Sequence, residues 1–340
     1  MAKDPYAFVK KTGRDRYWLK QDRELEALID PESGAIRKNV ARPVKCVVCG
    51  SREHNLVFIK QGFRFVKCAE CGLLFVNPQL DESKLLDHYR ENESSDRWVD
   101  VLLSKAQLDY DAKHRFGEAV RRLEKIYPKS GRRRILDVGC SIGLFLDLMR
   151  KKGWDPLGME INPKAVRHAR EVFNLKVDEK LLHEVQYPKE GFQVVSMWGV
   201  LEHISQPDMV LKQIHPLLEA KGRLVLLVPN GHSLACRIMR DDAATFGGRN
   251  HLWYFSPETI TRLLDRTGYR VTDLYTQLDQ VRELTNFLRF NHPYLPPDNK
   301  VAKEEFQLPP RLVKQLSRFI LKNHLGYKLI VFAEKKGKTR

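Results

Sequence analysis

The sequence predicts an α/β fold with a small cysteine-rich module near its N-terminus. Three observations carry that prediction. Residues 134–162 (RILDVGCSIGLFLDLMRKKGWDPLGMEIN) read as a strand, a glycine turn, a helix and a second strand; Cys46, Cys49, Cys68 and Cys71 fall into two C-x-x-C pairs; and short apolar runs alternate with helical patterns toward the chain end. With 340 residues and 42% apolar composition, the chain has the length for one large core and an accessory module.

In the strand-turn-helix-strand unit, residues 135–138 form a short apolar strand. Gly139, Ser141 and Gly143 mark the turn, and residues 144–152 carry apolar side chains at helical spacing. Gly153 stops that helix, and residues 156–159 form a second buried strand that ends in Glu160. Gly139 and Gly143 allow a tight turn and close approach of a ligand to backbone, while the helix N-terminus behind them offers N–H groups. Glu160 lies 23 residues after Asp137, where its carboxylate is placed to accept hydrogen bonds from the 2′ and 3′ hydroxyls of a ribose. The unit predicts an adenosine-type ligand without selecting one.

Three chemistries compete for such a unit. A dinucleotide dehydrogenase needs G-x-G-x-x-G, whereas the spacing here is D-V-G-C-S-I-G. Residues 139–143 also match the G-x-S-x-G elbow of a hydrolase. That elbow ends a central strand after several others, and little that reads as strand precedes Ile135 except the cysteine module. The pattern D-x-G-x-S-x-G, with an acid closing the next strand, instead resembles the motif of the class I S-adenosylmethionine-dependent methyltransferases. Residues 192–204 (FQVVSMWGVLEHI) resemble that family's fourth strand and the loop after it, 207–219 the next helix, and 222–229 (GRLVLLVP) the fifth strand. Residues 251–258 (HLWYFSPE) resemble a segment common in its small-molecule members. Residues 269–277 and 326–335 read as a closing antiparallel pair, separated by an insertion at about 278–325 that Pro293, Pro296 and Pro297 break into two helical parts. The resemblance covers the chain from about Tyr110 onward and implies a Rossmann-like seven-stranded methyltransferase sheet with an antiparallel last strand.

The N-terminal third carries its own signal. Cys46-x-x-Cys49, 18 intervening residues and Cys68-x-x-Cys71 have the spacing of a four-thiolate zinc site on two knuckles, each followed by a glycine, Gly50 and Gly72. Two disulfides or unrelated buried cysteines are the alternatives. No signal peptide is read at the start and residues 1–10 are polar, so a reducing, cytoplasmic setting is expected. Four thiolates close the tetrahedron and leave no position for a catalytic water, so the expectation is a zinc ribbon holding structural zinc. Residues 56–67 alternate as a hairpin, and Cys140 and Cys236, outside the pattern, read as small buried side chains.

These signals divide the chain into a charged arm at 1–42, a zinc-binding module at 43–80, a helical connector and cofactor cover at 81–130, and a methyltransferase domain at 131–340. The connector brings Tyr89, Trp98, Tyr110 and Phe116 toward the next domain. A formal charge of +16 favours anionic partners, whether phosphorylated metabolites, nucleic acid or a membrane surface. No apolar run approaches the ~20 residues needed to cross a bilayer. Oligomeric state is not legible.

The resemblance also implies roles. The loop with Gly139, Cys140, Ser141 and Gly143 holds the methionine part of S-adenosylmethionine, Asp137 orders that loop, Glu160 binds the ribose, and Ile161 borders the adenine. Trp198 and Gly199 flank the sulfonium. Gln193 stands where many relatives carry Asp, a site taken as structural. For a proton acceptor, His203 follows Glu202 on the loop where the acceptor sits, and His251 lies in the second family-like segment; against each stands a purely structural reading. The functional reading is methyl transfer to a small anionic metabolite, such as a nucleotide-linked or surface-polysaccharide sugar. The alternatives are an RNA methyltransferase using the zinc module and basic surface, and a non-catalytic protein that binds the cofactor.

Overall fold

The computed structural model describes residues 24–90, 93–290 and 308–337, together with Val9, residues 11–14 and Tyr17. Much of the N-terminal arm and the three prolines placed in the insertion lie outside the described residues. The chain runs through β1 (Ala41–Arg42), the hairpin β2 (His54–Lys60) and β3 (Phe63–Cys68), then β4 (Leu74–Val76) and β5 (Gln79–Leu80). The expected hairpin is present: Lys60 faces Phe63 across a two-residue turn in which Gln61 and Gly62 both have positive φ, the geometry that matches strand twist.

A helical stretch follows, made of α1 (Glu82–Arg90), α2 (Glu93–Leu103), α3 (Lys105–Tyr110), a π-helical turn at Asp111–Phe116 and α4 (Gly117–Ile126). Alternating strands and helices come next: β6 (Arg134–Val138), α5 (Leu144–Arg150), β7 (Asp155–Met159), α6 (Pro163–Glu171), β8 (Lys176–Asp178), β9 (Phe192–Trp198), α7 (Pro207–Ile214) and β10 (Leu218–Pro229). The chain closes with α8 (Leu234–Met239), β11 (Trp253–Tyr254), α9 (Pro257–Arg266), β12 (Tyr269–Gln277), α10 (Val281–Phe290), α11 (Pro310–Lys322) and β13 (Lys328–Lys335).

Seven strands form one sheet in the order β12-β13-β10-β9-β6-β7-β8, with β10, β9, β6, β7 and β8 parallel and the last strands antiparallel. Every residue of β9 is buried, as expected of a central parallel strand covered on both faces. Local chemistry fixes the helix ends around it. Asn162 caps α6 by accepting from the Ala165 N–H (2.9 Å), with Pro163 at the first helical position. Gly153 (φ +84°) turns the chain after α5. One boundary differs from the sequence expectation: the helix read over 207–219 stops at Ile214, because Pro216 breaks it, and β10 already begins at Leu218.

The chain forms two compact units. The first gathers residues 1–81, 228–260 and 274–330. Within it, a four-stranded sheet has the order β11-β4-β3-β2, so the two-residue strand β11, far along the sequence, pairs with the cysteine module through Trp253 opposite Phe75 and Tyr254 opposite Leu74. Phe58, Phe65, Phe246 and Tyr254 pack there with ring centroids 4.6–5.7 Å apart. The second unit gathers residues 82–227, 261–273 and 331–340. Its core includes Val99, Leu102, Ile142 and Ala165, with Trp98 and Leu144 packed against them.

Candidate functional site

In the second unit, β6 ends at Val138 and the chain turns through residues 139–143 before α5 begins. Gly139 (φ +76°) and Gly143 (φ +84°) adopt the left-handed region, and so does Ser141 (φ +51°). At Gly139 there is no room for a side chain: a Cβ would lie 2.5 Å from Val200 Cγ2. At Gly143 it would lie 2.6 Å from Leu175 Cδ1. The loop is pinned to β7 by the N–H groups of Gly139 and Cys140, which both donate to the Met159 carbonyl at 2.8 Å.

Glu160 closes this turn. Its Oε2 accepts from the Ser141 N–H (2.8 Å), and its Oε1 accepts from the N–H groups of Ile161 (2.7 Å) and Asn162 (2.9 Å). The carboxylate thus engages both strand ends at once, leaving one lone pair of Oε2 for a further donor. Burial raises the Glu160 carboxyl, against the three backbone N–H groups that lower it. Asp137 is buried one strand over and accepts from the Ser196 hydroxyl (2.6 Å). The side-chain bond that reaches the loop is therefore made by Glu160, while that of Asp137 links β6 to β9.

Asp137, Gly139, Cys140, Ser141 and Trp198 line one pocket, whose other walls are Ile142, Leu144, Phe145, Leu102, Asp111, Arg115 and Phe116. Trp198 packs its ring at a tilt against Phe145 and edge-on against Phe116 (centroids 4.7 and 5.0 Å apart). Its indole N–H is buried without a hydrogen-bond partner among the described residues. Arg115 donates to the Trp198 carbonyl (2.7 Å) and lies 4.0 Å from Asp111. Asp111, Arg115 and Phe116 all come from the π-helical turn, a rare distortion that often occurs at functional sites. Of these three, Phe116 is legible in the sequence as one of the connector's aromatics and Arg115 and Asp111 are not, since a π-turn leaves no mark in an apolar periodicity.

Gly199 follows β9 with φ +72°, and its N–H donates to the Leu227 carbonyl (2.8 Å). Beyond it, His203 Nδ1 lies 2.9 Å from the Tyr89 hydroxyl and its Nε2 3.9 Å from Glu202 Oε1. Glu202 is buried, and its Oε2 has no hydrogen-bond partner among the described residues. Gln193 Oε1 accepts from the Arg134 N–H (2.7 Å), and its amide donates to Glu219.

Two predicted sites belong to the first unit, His251 and the four-cysteine cluster. His251 is half-buried, with Nδ1 donating to the Thr245 carbonyl (2.8 Å), the backbone-bonded arrangement of its structural reading. Cys46, Cys49, Cys68 and Cys71 converge, all four Sγ lying within 4.8 Å of one another. The closest pairs are Cys46 with Cys71 (3.4 Å) and Cys49 with Cys68 (3.5 Å). Gly50 (φ +80°) and Gly72 (φ +75°) make the knuckle turns. Four soft sulfur donors at one point fit a tetrahedral zinc ion. Cys140 and Cys236 are both buried, and burial pushes both thiols up.

The chain is similar to known methyltransferases. A family model described as a methyltransferase domain matches residues 109–274. A ubiquinone biosynthesis O-methyltransferase of Cereibacter sphaeroides is 30% identical over 182 residues, covering 50% of this chain and 73% of that protein. A tRNA U34 carboxymethyltransferase of Methylococcus capsulatus is 30% identical over 217 residues, covering 59% of this chain and 66% of that protein. Among solved structures, the magnesium protoporphyrin IX methyltransferase (ChlM) of Synechocystis PCC 6803 with bound SAH shares the fold, with a TM-score of 0.50 at 15% identity over 75% of this chain and 100% of that one.

Proposed function

Because the chain belongs to the class I S-adenosylmethionine-dependent methyltransferases, we propose that it methylates a hydroxyl of a small anionic metabolite, such as a nucleotide-linked or surface-polysaccharide sugar. The observation that carries the cofactor half of this reading is the three-way engagement of Glu160 with the backbone of residues 141, 161 and 162. Beside that loop lies a pocket lined by Asp137, Gly139, Cys140, Ser141 and Trp198, whose indole N–H has no hydrogen-bond partner among the described residues. S-adenosylmethionine, when bound, supplies a methyl group already activated on a sulfonium. In our reading the backbone of residues 139–143 borders its methionine part and Glu160 holds its ribose; Ile161 borders the adenine. Trp198, Phe116 and Phe145 keep water from the methyl group.

The protein's remaining task is to align the acceptor and take its proton. We assign that task to His203. If Nδ1–H donates to the Tyr89 oxygen, the neutral ring keeps its lone pair on Nε2, and the imidazolium formed on proton uptake faces the Glu202 carboxylate. With S-adenosylmethionine bound, its methyl group would pass to the acceptor oxygen, and His203 would take the proton that this oxygen gives up. His251 is the second candidate. In support of an anionic acceptor stand the formal charge of +16 and Arg115 in the pocket wall. Zinc at the four cysteines is read as structural.

An RNA acceptor is the second reading, favoured by the similarity to the Methylococcus capsulatus tRNA enzyme. Calorimetric titration with S-adenosylmethionine, S-adenosylhomocysteine and NAD tests the cofactor. Transfer of labelled methyl to nucleotide-linked sugars and to RNA then tests the acceptor. Binding of both sulfur ligands, with transfer to a sugar and none to RNA, is expected. Transfer to RNA alone would replace this reading with the second. Under the first reading, His203→Gln lowers kcat far more than His251→Gln; the reverse order moves the base to His251.

A further inference from the structure

We propose that α11 is a docking element for the surface of an anionic lipid bilayer. The helix (PRLVKQLSRFILK) contains no acidic residue. At roughly 100° per residue, Val313, Leu316 and Ile320 share its inner face; Ile320 is fully buried and the other two half-buried. The opposite side is a stripe of exposed cations, Arg311, Lys314, Arg318 and Lys322, spaced at i, i+3, i+7 and i+11. None of the four has an acidic partner among the described residues. Flanking the stripe, Leu312 is 45% exposed, Phe319 56% and Leu321 36%. On α10, which packs with α11 in the same unit, Leu288 is 60% exposed.

A solvated face explains cations, and a buried face explains leucines. Exposed apolar side chains interleaved with cations that have no acidic partner among the described residues satisfy neither condition. They match the interface of a membrane, where phosphate headgroups meet the cations and the acyl boundary takes up Phe319, Leu312 and Leu321. RNA phosphates would pair the cations but leave the leucines in water. The 13-residue helix is roughly 20 Å long, well short of the hydrocarbon core, so it lies on the bilayer and does not cross it. Among the described residues no helix is long and apolar enough to span a membrane.

Co-sedimentation of the zinc-loaded full chain with phosphatidylcholine vesicles, with and without phosphatidylglycerol, tests the proposal independently of any acceptor. Binding to the anionic vesicles alone is expected, weakening as salt is raised. The double variant Arg311→Gln/Arg318→Gln lowers partitioning by roughly thirtyfold. Leu312→Ser/Phe319→Ser lowers it too, while both variants melt like the parent because the altered side chains are exposed. Absence of binding to anionic vesicles overturns the proposal, and so does undiminished binding by the Leu312/Phe319 variant. Tighter binding to tRNA than to vesicles, lost on Arg311/Arg318 substitution and indifferent to Leu312/Phe319, would assign the helix to nucleic acid instead.

Discussion

The Ser141 N–H donates to Glu160 Oε2 at 2.8 Å, so the acid that ends β7 holds the loop that ends β6. One carboxylate therefore sets the loop's conformation and, in the proposed role, reads the ribose. Glu160→Ala removes both at once. Loss of the one hydrogen bond left for a ribose hydroxyl, together with the loop that Glu160 holds, predicts S-adenosylhomocysteine affinity about tenfold to a hundredfold lower, with Glu160→Gln between the two. Isothermal titration checks this, and undiminished affinity in the alanine variant would remove Glu160 from the site.

Gly139 and Gly153 separate backbone strain from crowding. Both have positive φ, +76° and +84°, so alanine is strained at each. A Cβ at Gly153 would come no closer than 4.0 Å to Arg133 Nη1, whereas one at Gly139 would meet Val200 at 2.5 Å. Gly153→Ala should cost about 1 kcal/mol of stability, and Gly139→Ala clearly more. Only Gly139→Ala is expected to weaken cofactor binding. Equal melting temperatures for the two variants would show that the loop yields without cost.

The parts of the fold legible in the sequence are those whose determinants are close together. Gly139, Gly143, Gly153 and Glu160 fall within a single strand-turn-helix-strand unit, and the cysteine pairs declare themselves by spacing. The features that escaped depend on distant partners. Trp253 and Tyr254 form a strand only because Phe75 and Leu74 lie opposite, a pairing that two residues of local pattern cannot announce. Arg115 enters the pocket through a π-helical turn that shifts side chains off the 3.6-residue rhythm. The place of Glu160 after a strand points to a ribose ligand, but its three backbone bonds depend on how the two strand ends meet.

Asp137 makes stability depend on pH. Burial pushes its carboxyl up to about 8 from the ordinary 3.8, although the Ser196 hydroxyl and the Arg115 guanidinium pull it down. Between those values the native protein keeps a proton that the unfolded chain has released, so the slope of stability with pH is negative. The contribution is complete below about 4 and is lost as pH rises through about 8. Asp137→Asn retains an acceptor for Ser196 and does not titrate. Its melting temperature, without cofactor, should fall less between pH 5 and pH 8 than that of the parent, the difference isolating this one group. Parallel curves would place the carboxyl near its ordinary value.

The four cysteines lead to a prediction about folding. If zinc sits among sulfur atoms lying 3.4–3.5 Å apart in pairs, its binding free energy is part of the folding free energy of the unit that contains them. That unit's sheet, β11-β4-β3-β2, is built on the strand that ends at Cys68, so loss of the ion should loosen the aromatic cluster of Phe58, Phe65 and Phe246. Metal analysis should find about one zinc per chain, as one four-thiolate site requires. A chelator and Cys46→Ser should each lower the melting temperature, and the chelator should add little to the variant. Because all four positions of the tetrahedron are filled by thiolate, methyl transfer by the fraction still folded should persist. Normal melting with activity abolished in Cys46→Ser would instead give the metal a part in the reaction.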